Sequence, residues 1–202
     1  KSGWHGHGGN FPGSFLINVG FNKDIGWGAT VNRPDVMDIF ELTINPENSN
    51  QYLLDDKWES FEIEEDYLAF KLFGFLKLRT KQKFRYSKFG PVLEMKGRYF
   101  ALRHINQSSF NEIEGWYEIG NSTDVYEFEK QLAKRKIPSF NFVTMDSNRN
   151  IGYFYNGRIP VRADAPKARQ ILRSSSSNDI WDDGKMVHDL PKFINPSNGW
   201  IQ

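Results

Sequence analysis

The stretch Gly26-Trp-Gly-Ala-Thr-Val-Asn-Arg-Pro-Asp-Val-Met-Asp-Ile-Phe-Glu-Leu42 constrains this chain more than any other. Gly26 to Val31 is an apolar segment with small residues, where another group can approach the backbone closely. Asn32-Arg33-Pro34 then makes a turn of fixed geometry. Asp35 and Asp38 flank Val36 and Met37, and Ile39 to Leu42 reads as a strand. Two carboxylates three residues apart around an exposed carbonyl suit a hard cation such as calcium, although a full site needs about 6–8 oxygens. The plainer alternative makes Asp35 a turn residue and Asp38 a solvated strand-end charge.

A length of 202 residues fits one domain or one large piece of a bigger one. With 39% hydrophobic and 15% aromatic residues the chain can build a core, so disorder is not the default. Its 26 basic and 25 acidic residues leave a net charge of +1, which offers no field for nucleic acid or an anionic membrane. The absence of cysteine excludes disulfide and thiolate chemistry. No run approaches the roughly 18 apolar residues of a membrane span. Lys1 to His5 has neither a start Met nor a signal-peptide core, so the chain is expected to begin in mid-protein.

Gly3 to Gly13 is a glycine-rich lead-in. His5 and His7 alternate as on a strand face, but two ligands without a third make a poor metal site. Strands are expected at 15–19 and 25–31 around a turn at 20–24. Tyr52 to Leu54, Asp55 to Lys57 and Trp58 read as a tight hairpin. Phe61 to Glu64, Lys81 to Tyr86 and Arg98 to Arg103 alternate with the period of half-buried strands. Leu68 to Leu78 is more continuously apolar and reads as core or a strand buried on both faces, the alternative being a docking surface for a missing chain. Helices are expected from Asn111 to Ile119 and from Asp124, an N-cap with Glu127 three residues on, to Lys136 before Pro138. Phe140 to Met145 and Ile151 to Tyr155 form a hairpin, and 162–179 reads as a long surface loop. The fold class is α+β: strands 15–19, 25–31, 139–145 and 151–155 in one antiparallel sheet with both helices packed on it.

The run Asn22 to Phe40 resembles the β-chain of penicillin acylases and acyl-homoserine-lactone acylases, which are N-terminal nucleophile hydrolases. The resemblance continues through Asn45 to Trp58, Gly90-Pro-Val92, Asn150 to Gly157 and Ile194 to Ile201, several motifs in one order across nearly the whole chain. It implies that the antiparallel sheets and packed helices are part of an αββα fold. It also implies an amidohydrolase that cleaves the linear amide bond of an N-acylated small molecule, of the antibiotic, lactone-signal or lipopeptide class. In that family an N-terminal serine attacks the carbonyl with its own α-amine as base, and a backbone N–H and an Asn side chain hold the oxyanion.

Carried over residue by residue, the resemblance places Val31 at the oxyanion-binding backbone N–H. It places Asn18, Val19, Ala29, Thr30, Tyr117 and Phe140 in the acyl pocket. Val19, Ala29, Val31 and Phe140 are expected to line one pocket, and the small Val19 to favour medium or long acyl groups. A structural calcium would take the Asp35 and Asp38 carboxylates and the Met37 carbonyl, with a further carbonyl near Pro166; no organic cofactor is implied. The nucleophilic serine is expected upstream of Lys1 and the helper Asn beyond Gln202. On that reading residues 1–202 are an internal β-chain fragment, inactive alone, whose partners are the α-chain and the remainder of the β-chain. Neither Ser2 nor Ser174 to Ser177 matches the nucleophile's motif. The implied location is periplasmic or secreted. The competing reading is a noncatalytic, calcium-stabilised, β-rich carbohydrate- or ligand-binding module.

Overall fold

Among the described residues far more backbone satisfies its N–H and C=O groups between strands than within helices. The computed structural model describes residues 5–105, 111–162, 170–182 and 184–201. In chain order the strands are β1 (Gly6–Gly9), β2 (Val19–Asn22), β3 (Ile25–Thr30), β4 (Met37–Leu42), β5 (Ile44–Asn45), β6 (Asn48–Leu54) and β7 (Lys57–Ser60). They continue with β8 (Glu62–Leu72), β9 (Leu76–Ser87), β10 (Gly90–Met95) and β11 (Arg98–His104). Helices α1 (Glu112–Gly120) and α2 (Val125–Leu132) follow, then β12 (Ser139–Asp146), β13 (Ile151–Gly157), β14 (Ile171–Arg173), a 3-10 turn (Ser177–Asp179) and β15 (Lys192–Ile194). The chain divides into two units, one from 1–36, 105–161 and 183–202, the other from 37–104 and 162–182.

The first unit is a six-stranded antiparallel sheet in the order β1-β2-β3-β12-β13-β15. Alternation sends Ile25 and Trp27 of β3 and Phe142 and Phe154 of the next two strands to one face. There they bury against Trp116 and Ile119 of α1 and Val125, Phe128 and Leu132 of α2. Asp124 caps α2 as its sequence predicts, its Oδ1 accepting from Glu127 N–H at 2.7 Å. The helix closes at Leu132 rather than Lys136, because Arg135 takes a left-handed backbone, φ 54°.

The strand expected at 15–19 is displaced. Ser14 N–H donates to the Phe11 carbonyl, Leu16 N–H to Ser14 Oγ and Phe11 N–H to Asn18 Oδ1, so 11–18 satisfies itself locally as a loop. The ladder forms instead between β1 and β2, where Gly8 pairs directly with Gly20. A Cβ on Gly8 would meet the Val19 carbonyl oxygen at 2.2 Å and Ile17 Cγ2 at 2.6 Å, which is why a glycine stands there. The other three expected strands share the sheet as anticipated.

The second unit holds a six-stranded sheet, β14-β4-β11-β10-β9-β8, in which β14 runs parallel to β4 and the remaining pairs are antiparallel. A three-stranded sheet, β5-β6-β7, accompanies it. The tight hairpin between β6 and β7 turns at Asp55 and Asp56, both at positive φ. Phe40, Leu42, Tyr52, Phe61, Phe89 and Tyr99 form the core. Phe89 is fully buried with its ring 4.8 Å from that of Phe40, so its aromatic side chain serves packing. Leu68 to Leu78 is not a core strand: it turns over at Phe73-Gly74-Phe75 and pairs Leu72 with Leu76. Of the expected loop at 162–179, residues 171–173 form β14, and 163–169 lie outside the described residues.

Candidate active site

The site residues expected near the scissile bond all fall in the first unit. β3 carries Ala29 and Thr30 to its end, opposite Phe142 and Asn141, and Val31 follows as the first residue past the ladder, 76% exposed. The turn after Val31 is pinned. Asn32, buried, donates through Nδ2 to the Asn156 carbonyl at 2.8 Å. Asn156 is itself held: its Nδ2 donates to the Ile137 carbonyl at 2.9 Å and its Oδ1 accepts from Arg135 at 3.3 Å. Burial pushes the Arg135 guanidinium below its ordinary value. Pro34 packs onto Gly157, where an added Cβ would lie 3.0 Å from the proline Cβ. The sequence marks Asn32 as a turn residue; an amide two residues before a proline, between an apolar strand and an acidic pair, is the signal for its buried role.

Two expected pocket residues meet in one aromatic neighbourhood. Phe140 stacks on Phe11 with centroids 5.7 Å apart and meets Trp116 edge-on at 5.4 Å. Its φ of 148° is unusual for a bulky side chain, a strain of about 1–3 kcal/mol that this packing must hold. Asn18, 2% exposed, holds the adjoining loop through the Phe11 N–H at 2.9 Å and accepts Trp27 Nε1 at its carbonyl at 3.1 Å. Ala29 packs against the same core, and Tyr117, next to Trp116 on α1, is 54% exposed.

The expectation that Val19 stands across from Ala29 is corrected by the register. Gly20 pairs with Trp27 and Phe21 with Gly26, so Val19, flanking Gly20, takes the face of Phe21, Gly26, Gly28 and Thr30. Ala29 and Phe140 lie on the helix-covered face, and the sheet separates them from Val19. On the Val19 face, Thr30 Oγ1 accepts from Asn141 Nδ2 at 3.4 Å and Asn141 Oδ1 accepts from Tyr153 at 2.9 Å.

The cation candidates divide at the boundary of the units, with Asp35 in the first and Met37 and Asp38 in the second. Asp38 shares the buried side of β4 with Phe40 and Leu42, because positions 38, 40 and 42 alternate inward. Its Oδ2 accepts from Arg162 Nε at 2.8 Å and from Trp181 Nε1 at 2.7 Å. Both donors fall on one oxygen, so Oδ1 is the atom through which Asp38 would hold a cation. Among the described residues no group of three or more His, Asp or Glu side chains converges on a metal position. Pro166 lies outside the described residues. The described residues therefore fit a calcium ion only as contributors of some oxygens, short of the usual six to eight. The serines at 174–177 serve the loop: Ser174 bonds the Asp179 carboxylate, and Ser176 Oγ accepts Asn178 N–H at 3.2 Å.

The family model for penicillin amidase matches residues 2–202. An acyl-homoserine lactone acylase of Pseudomonas savastanoi is 29% identical over 77% of this chain and 21% of its own length. Penicillin G acylase of Escherichia coli is 26% identical over 98% of this chain and 24% of its own. The solved structure of a penicillin G acylase from Alcaligenes faecalis superposes with a TM-score of 0.77 at 21% identity, covering 96% of this chain and 37% of that one, a likeness of fold. The chain thus spans about a fifth to a quarter of the length of these curated relatives. With a match that runs from residue 2 to residue 202, the chain belongs to the penicillin amidase family.

Proposed function

We propose that this chain is the part of a penicillin-acylase-type amidohydrolase that supplies the backbone oxyanion donor and much of the acyl-binding surface. The observation that carries the reading is the end of β3: a strand that stops at Thr30, an exposed Val31, and a following turn tied to β13 through Asn32 and Pro34. A donor that must meet a developing oxyanion gains from such fixation, because no reorganisation is left to do at the moment of reaction. A backbone N–H also makes no demand on its own side chain, so valine is acceptable there.

In the proposed reaction a serine hydroxyl from outside this chain adds to the amide carbonyl and passes its proton to the serine's α-amine, whose pKa near 7.7–8.0 suits neutral pH. The negative charge on the former carbonyl oxygen is held by Val31 N–H and an Asn side chain, also from outside. Collapse breaks the C–N bond as the amine leaves with the proton, and water then hydrolyses the acyl-enzyme. Thr30 and Val19 are proposed to contact the acyl group on one face of β3, and Ala29, Phe140, Asn18 and Tyr117 to support that strand from the helix-covered side rather than to touch the same acyl group.

The αββα architecture is part of the same proposal. Its support is the second face of the first unit's sheet, where Phe21, Val143, Met145 and Phe193 are each about half exposed. An antiparallel sheet facing water alternates to polar residues, so an apolar face of this kind is built to receive another layer. A structural calcium is proposed at Asp35, the Met37 carbonyl and Asp38, with its remaining oxygens from elsewhere in the enzyme. The α-chain and the remainder of the β-chain are the proposed partners, and a periplasmic or secreted location follows from the resemblance. Among the described residues no helix is long and apolar enough to cross a membrane. The test is hydrolysis of fatty-acyl and phenylacetyl amides by the intact enzyme with Val31 replaced by proline, which removes the N–H. A variant that folds and keeps wild-type kcat would refute the assigned donor.

A further inference from the structure

The β8–β9 ribbon in the second unit takes no part in the chemistry above. Its register pairs Leu68 with Thr80, Phe70 with Leu78 and Leu72 with Leu76, which gathers five apolar side chains on one face. The other face carries Lys71, Lys77, Arg79, Lys81, Lys83 and Arg85. Phe73 and Phe75 close the tip at 82% and 81% exposure. Every residue of β8 is exposed, as are all of β9 up to Phe84. A two-stranded ribbon uncovered on both faces is marginal in water, and an open apolar edge of this kind invites aggregation.

We propose that the apolar face of the β8–β9 ribbon is a docking surface for the remainder of the same acylase polypeptide, with the cationic face left toward solvent. The inference rests on the acylase reading, since the matched segment is only 21% of the length of the Pseudomonas relative. Polypeptide tethered to the chain meets the ribbon at a high effective concentration. A lipid surface fits less well. Glu62, Glu64 and Asp66 share the apolar face at its base, so an anionic bilayer laid against that face would be pressed onto three carboxylates. A protein surface can meet those carboxylates with donors while its own apolar side chains cover Phe70 and Leu78.

The chain contains no cysteine, so a single introduced thiol reports on its own position here. In the intact acylase, Phe70→Cys and Leu78→Cys probe the apolar face and Lys81→Cys the cationic one. Maleimide labelling is followed by peptide mass, which separates these thiols from any outside this chain. The docking surface predicts labelling at 70 and 78 at least about tenfold slower than at 81, at every protein concentration and without lipid. Equal rates would overturn it. Protection that appears only with phosphatidylglycerol vesicles would assign the face to lipid instead, and protection that grows with protein concentration would assign it to self-association. If Phe70→Cys does not fold, Leu78→Cys carries the comparison. Labelling needs no turnover, so protection without amide hydrolysis would sink the proposed chemistry and leave the docking surface standing.

Discussion

Replacing Asp38 with alanine separates two roles placed on one carboxylate. Asp38 lies on the buried side of β4, and its side chain and that of Arg162 are 9% and 11% exposed. Its Oδ2 accepts from Arg162 and from the Trp181 indole. The alanine variant leaves the indole N–H and the guanidinium without this acceptor in a dry environment. Breaking a buried pair by removing one partner costs about 3–5 kcal/mol. For a domain of roughly 150–250 residues each kcal/mol lowers Tm by about 2–4 °C, so the loss is about 6–20 °C. Arg162→Met breaks the same pair but keeps the carboxylate. Calcium adds a second quantity: at a hundred times its Kd a bound ion contributes about 2.7 kcal/mol. Melting in calcium and in chelator should show that increment in wild type and in Arg162→Met, and not in Asp38→Ala. A basal loss below about 1 kcal/mol would refute the structural role of the pair. An equal calcium increment in Asp38→Ala would place the ion elsewhere.

Asp146 offers an acid-stability test. Burial raises its pKa, but the Asn150 side chain and the N–H groups of Asn150, Val125 and Asn148 bring it below the ordinary 3.8. Its contribution is therefore fully present above that value and lost as pH falls through the folded pKa, so Asp146→Asn should flatten the acid limb of a stability–pH curve. Glu41, held at about 2 by Arg98 and then Arg173 against an ordinary 4.5, predicts a second loss between those values that Glu41→Gln removes. For specificity, each methylene of an acyl chain buried beside Val19 is worth about 0.8 kcal/mol, close to fourfold in kcat/KM. Val19→Phe should shift the acyl-length profile toward shorter chains; an unchanged profile means Val19 does not face the acyl group.

The parts of the fold that sequence reading found are those in which local chemistry and burial agree. Asp124 followed by Glu127, and Val125, Phe128 and Leu132 at helical spacing, located α2. Turn residues bracketing apolar segments located β3, β12 and β13, and period-two alternation located the strands at 81–86 and 98–103. Failures came where backbone hydrogen bonds were satisfied in ways composition does not display. Asn18 and Ser14 hold the 11–18 loop, and the strand forms instead at Gly6–Gly9, with no apolar pattern to announce it. The apolar run at 68–78 conceals a turn at Gly74, whose φ of 77° a glycine adopts without strain. At the candidate site the strand end at Thr30 and Val31 was legible. The face of Val19 was not, because a shift of one residue in the β2 register exchanges the two sides of the sheet.

The proposed activity is hydrolysis of N-acyl amides by the enzyme that contains this chain. The direct measurement is incubation of the intact enzyme with a series of fatty-acyl and phenylacetyl amides in 18O-labelled water, followed by mass spectrometry of both products. Stoichiometric release of the free amine and of a carboxylic acid carrying one 18O atom is expected. An intact, folded enzyme that binds these amides and releases neither product would contradict it.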